Sequence, residues 1–204
     1  MERYFLFYPE DSGKAINLSI YNLQLSETLY TSLSCFEVTL RNALARELKV
    51  MTGKEDGYTT FSDNPSLVGL SRYTTQAMKQ ISSRHESISP SKVIAELTLG
   101  FWVSLLNSEY EKVLWKDLRR AFPYIPKAKK KRKNLSGPLN RFRRLRNRVF
   151  HNEPICWNLK RLIDLHSEMI KVLGWIDCKM PYWIANIDRF PEVSSHVYRD
   201  LVIK

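Results

Sequence analysis

Apolar positions recur at intervals of three and four along most of this chain, and nowhere in convincing alternation. Between residues 18 and 50, Leu29, Leu33, Phe36, Leu40, Leu44 and Leu48 form such a stripe, uninterrupted by Gly or Pro. That is the spacing of a buried helix face. The run exceeds ~25 residues, so it predicts one long helix or two that break near Ser26. Gly53, Gly57, Asn64 and Pro65 then punctuate a loop, and residues 71–85 predict a shorter, polar helix. Ser89 and Pro90 supply an N-cap and a first-turn proline for a helical region that Pro123 and Pro126 end. Within it, Gly100 either marks a break or lets another helix approach closely.

Residues 127–136 read as a basic loop, with Ser136-Gly137-Pro138 as a turn into a helix carrying RFRRLRNRVFH. On that helix Leu139, Phe142, Leu145 and Val149 form the buried stripe. Pro154 disfavours helical geometry at Glu153, so the helix ends between His151 and Glu153. Residues 158–176 are regularly amphipathic, and the tail predicts one or two short helices. The expectation is an all-α, single-domain helical bundle spanning residues 1–204, with a C-terminal helical extension after about residue 176.

Composition narrows this. A chain of 204 residues with 44% hydrophobic content can bury one core and is short for two. No apolar run approaches the ~18 residues of a membrane span. The start, MERYFLFYPEDSGK, does not read as a signal peptide. Cys35, Cys156 and Cys178 are odd in number and widely spaced, which suits reduced thiols in a cytoplasmic protein rather than disulfides or a zinc site. No cofactor or metal is expected, and no membrane partner.

The net charge of +11 changes the picture, because it is concentrated. Residues 127–148 hold eleven Lys or Arg and no acid; taking those from the chain's 32 leaves 21 basic residues against 21 acidic ones. Lys127, Lys129, Lys130, Lys131, Arg132 and Lys133, followed by Arg141, Arg143, Arg144 and Arg148, therefore read as a phosphate-binding surface for RNA. The plain alternative is a solubilising loop.

The end of the helix adds candidate chemistry. Arg144, Asn147, Arg148 and His151 share a face, whereas Arg146 and His151 are separated by ~140° on a straight helix. They converge only through the length of Arg, a distorted last turn, or a second copy of the helix. Histidine exchanges protons near neutral pH, and arginine holds two phosphate oxygens in its fork. Metal-free RNA cleavage needs a base, an acid and a cation, and one histidine supplies only one proton-transfer group. A histidine closing a helix also suits the helix dipole with no catalytic role.

RNRVFHNEPI resembles the signature of the HEPN superfamily, more narrowly its Abi-like (abortive infection) group: an Arg, a polar residue, then His after four to six residues, continuing into Glu-Pro. Arg146, Asn147, His151, Glu153 and Pro154 match it. CFEVTLRNAL resembles the family's early helix segment through Glu37, Leu40, Arg41 and Asn42. The likeness covers roughly residues 15–175; the tail and the lysine-rich loop have no counterpart. The resemblance implies an all-α fold, metal-independent RNA cleavage leaving a 2′,3′-cyclic phosphate, and a homodimer with a shared cleft where two motifs face each other. It implies catalytic roles for Arg146, Asn147 and His151, supported by Glu37, Arg41, Asn42 and Glu153. Glu37 and Arg41 are otherwise placed for a local ion pair. Phage defence or toxin action follows as an expectation, with an antitoxin or defence-complex partner.

Two rivals stand beside the nuclease: a non-catalytic nucleic-acid-binding module, and an interaction subunit whose basic loop docks an acidic partner. His166 reads as structural or exposed, and His85 and His196 lack metal-ligand spacing. The tryptophans fall mostly among apolar neighbours, so they read as core, with Trp157 the one candidate for base stacking.

Overall fold

The computed structural model describes residues 2–202, and among them there are helices and no strand. The organising element is α2, a single helix over Ser12–Thr52, preceded by the short α1 (Glu2–Phe7). The Asp11 side chain accepts from the Lys14 amide at 2.9 Å to cap its start. Gly53, at φ 69°, ends it and donates to the Lys49 carbonyl. The helix does not break near Ser26, whose buried hydroxyl has no partner among the described residues. Its stripe is fully buried from Leu25 to Leu44, against several partner helices. Tertiary packing along the whole length leaves nothing to gain from a break.

Helix α3 (Val68–Ser83) follows the loop, then α4 (Pro90–Glu96) and α5 (Leu99–Ser104). Ser89 caps α4 through the Lys92 amide. The break falls at Leu97–Thr98 rather than at Gly100, which lies inside α5. A Cβ at Gly100 would lie 3.9 Å from the Arg143 stem, an ordinary contact, so close approach does not demand a glycine here. Trp102 and Phe101 are buried here, and α6 (Glu111–Leu118) returns against α2.

Helix α7 runs over Arg132–Phe150. The expected loop therefore ends earlier, and Ser136-Gly137-Pro138 is helical rather than a turn. Pro138 removes one backbone hydrogen bond, but it is buried beside Leu135 and Leu139. Burial of that side is the physical reason the helix runs through it. Phe142 packs edge-on against Phe36 of α2, with ring centroids 5.3 Å apart. Helix α8 (Leu159–Ile176) is capped by Asn158, and α9 (Met180–Ala185) and α10 (Phe190–Val202) complete the chain. The C-terminal extension is not an appendage: α10 packs on α2 and α8, with Phe190 and Val197 buried.

Candidate nucleic-acid site at the end of α7

The buried stripe of α7 divides its charged residues between two flanks. On the α2 flank, Arg146 is half-buried, and its Nε donates to Glu37 Oε2 at 3.2 Å. Its guanidinium lies 4.1 Å from the centre of the Phe150 ring. Phe150 in turn stacks on Tyr30 at 4.8 Å. A carboxylate and an aromatic face together fix the fork. Glu37 thus reaches across to α7 instead of pairing with Arg41. Arg41 instead donates to Asn42 Oδ1 at 3.4 Å, and Asn42 is exposed.

His151 closes α7, its amide donating to the Asn147 carbonyl at 2.9 Å. Its imidazole is exposed and has no hydrogen-bond partner among the described residues; Asn147 is exposed as well. The helix is regular to Phe150, which sets Arg146 and His151 ~140° apart about its axis, and no hydrogen bond joins them among the described residues.

The chain turns sharply after the histidine. Asn152 has φ 53°, a left-handed conformation that asparagine tolerates. The Glu153 amide donates to the Arg148 carbonyl at 2.8 Å, and Arg148 donates to the Pro154 carbonyl and lies 3.6 Å from Glu153. The Ile155 amide donates to Asn22 Oδ1 at 2.6 Å. Asn22 is buried on α2. Sequence reasoning missed it; the only signal was an amide within an apolar stripe.

On the α8 flank, Arg141 donates to both oxygens of Glu168, at 2.7 and 2.8 Å. Arg144 is exposed, with no acidic partner among the described residues. Arg143 lies over Gly100. Upstream, Lys127, Lys129, Lys131 and Lys133 are exposed. Arg132 is different: it donates to Glu111 at 2.8 Å and to the Leu106 carbonyl at 3.0 Å, which makes it a brace between α7 and α6. Both contacts hold its guanidinium against the body of the fold.

Other expectations divide. His166 is buried, with Nε2 2.7 Å from Asp188. His196 lies 3.6 Å from Asp200 on α10. Trp102 is buried, but Trp157 and Trp183 are exposed. Trp157 stacks on Phe7 at 5.0 Å, so one ring face is already covered. Burial pushes the Cys156 thiol up to about 11. Among the described residues no three His, Cys, Asp or Glu side chains gather as a metal site, and no helix is long and apolar enough to cross a membrane. No family model, curated protein or solved structure matches the chain.

Proposed function

We propose that this protein is a metal-independent endoribonuclease of the HEPN, Abi-like type, acting in phage defence or as a toxin. The observation that carries this reading is the asymmetry of Arg146 and His151. A guanidinium is held rigid by Glu37 and Phe150, while an unpartnered imidazole stands exposed at the end of the same helix. In the proposed reaction the RNA 2′-oxygen loses its proton and attacks the adjacent phosphorus. The bond to the 5′-oxygen breaks, and that oxygen takes up a proton. The products are a 2′,3′-cyclic phosphate and a free 5′-hydroxyl. Arg146 stabilises the charge on the phosphoryl oxygens, His151 moves a proton, and Asn147 orients the strand.

One chain offers one histidine, aimed away from its arginine. The proposal therefore includes a homodimer in which two α7 ends meet. Tyr30, 54% exposed and stacked on the Phe150 ring that carries Arg146, supplies apolar support for such an interface. Labelled RNA incubated in EDTA is the test. Cleavage is expected to persist in chelator and to fall ~10²–10⁴-fold in Arg146→Ala and His151→Ala. Mixing those two inactive variants is expected to restore part of the activity. Activity from a protein that sediments as a monomer would overturn the shared site. Binding without cleavage across structured and unstructured RNAs would leave a binding module, which the divergence of Arg146 and His151 within one chain favours.

A further inference from the structure

A second feature of α7 lies on the flank away from Arg146. Between α7 and α8 is a cleft of about 350 Å³. That is the small end of the ~300–1,000 Å³ range of small-molecule sites. Its cationic wall is Arg141, Arg144 and Arg148 from α7 and Arg161 from α8, and no acidic residue lines it. Arg141 is paired with Glu168, and Arg148 with the Pro154 carbonyl and Glu153. Arg144 and Arg161 have no carboxylate partner among the described residues, and both are exposed. The floor is apolar: Leu145, Leu162 and Leu165, of which the first two are buried.

Converging like charges on an apolar floor is unfavourable for the empty protein. A floor of low polarizability strengthens every interaction with a bound anion. Two guanidiniums from different helices, with two more fixed beside them, match the oxygens of a phosphate. The leucines give a sugar and base somewhere to lie. An inorganic anion would use only the wall.

We propose that this cleft is a nucleoside-phosphate site, with Arg144, Arg148 and Arg161 holding the phosphate and the leucine floor taking the nucleoside. Arg144 and Arg148 share the helix face of Asn147 and His151, so the cleft borders the proposed cleavage chemistry; only an RNA strand as its source rests on that reading. The same chemistry could come from a free mononucleotide.

Titration calorimetry on the full chain separates these. The probes are adenosine 5′-monophosphate, inorganic phosphate, and a 2′-O-methyl oligonucleotide that cannot be cleaved. In the Arg144→Gln/Arg161→Gln double variant, affinity for the occupant is expected to fall about tenfold or more, since hydrogen bonds to charged groups are lost. Arg161→Lys is expected to retain part of it. Mononucleotide binding needs no cleavage, so an inactive nuclease leaves the site testable. Loss confined to the oligonucleotide identifies RNA as the source, and loss confined to the mononucleotide identifies a free nucleotide. Unchanged affinity for both, with circular dichroism showing a folded variant, would overturn the site. Inorganic phosphate binding as tightly as the mononucleotide would overturn the role of the floor.

Discussion

The eleven cations of residues 127–148 look alike in the sequence, and the fold uses them in two different ways. Lys127, Lys129, Lys131 and Lys133 are exposed and enter no ion pair among the described residues. Arg132, Arg141, Arg146 and Arg148 each lie on a carboxylate from another element or, for Arg148, from the following turn. The difference follows from side-chain chemistry. Lysine is a strongly hydrated point charge on a flexible stem; arginine carries a planar fork that a carboxylate, a carbonyl or an aromatic face can fix. The lysines therefore supply charge without a fixed direction. The arginines supply fixed directions, at the cost of charge spent on internal partners. Arg143 and Arg144 are the exceptions, without a carboxylate partner among the described residues, and Arg144 lines the α7–α8 cleft.

The largest expected effect comes from exchanging the two kinds of cation. Arg146→Lys keeps the charge but loses the fork held by Glu37 and Phe150, so RNA cleavage is expected to fall ~10²-fold, as when one positioned donor is removed from a transition state. Replacing Lys129, Lys130 and Lys131 together by Arg is expected to leave turnover within about twofold, because those positions carry charge and not direction. Single-turnover rates on one RNA would decide it. Equal losses in both variants would erase the distinction between field and fixed direction.

Much of the fold is legible in the chain itself. The α2 stripe, the Ser89 cap, the end of α7 before Pro154 and the α8 amphipathicity all follow from short-range periodicity and punctuation, and each stands in the structure. The turn expected at Ser136-Gly137-Pro138 does not, because the burial of Leu135, Pro138 and Leu139 outweighs local propensity. The candidate site is legible in composition but not in connections. Spacing offers Glu37 to Arg41, and only the resemblance sets it behind the motif; in the fold it meets Arg146, 109 residues away. Arg132 reads as one more loop cation, whereas Glu111 and the Leu106 carbonyl receive it. On a regular amphipathic helix nothing sets an exposed arginine such as Arg161 apart until a cleft forms beside it. Partners distant in sequence leave no local signal.

The next effect is on stability, and it tests whether the turn after His151 is held as firmly as the arginines around it. Asn22 Oδ1 accepts the buried Ile155 amide at 2.6 Å. Asn22→Ala leaves that amide unpaired in the core, at a cost of ~1–3 kcal/mol. A loss of ~2–4 °C in Tm is expected for each of those kcal/mol in a domain of this size. Asn22→Leu would lose the same bond while filling the space, so it should be no more stable than the alanine variant. A melting temperature unchanged in both would mean that the turn stands without this anchor, and that the position of His151 does not depend on α2.

The smallest effect separates Arg132 from its lysine neighbours. Lys129→Ser, Lys130→Ser and Lys131→Ser combined touch no carboxylate, so stability should move by less than ~0.5 kcal/mol, as for surface changes generally. If the three lysines lie on RNA phosphates, the slope of log affinity against log salt flattens by ~0.7 for each phosphate no longer neutralised, measured with single-stranded RNA. Adding Arg132→Ser to the three should change the slope little further, because that guanidinium is already paired. It should instead cost ~1–2 kcal/mol by leaving the Leu106 carbonyl without its donor. Salt titration and thermal melts on the triple and quadruple variants therefore read two different quantities. A quadruple variant that melts with the triple but flattens the salt slope by a further full step would show Arg132 to touch RNA after all. The arginine would then belong with the lysines, and the division between field and framework would begin further along the chain.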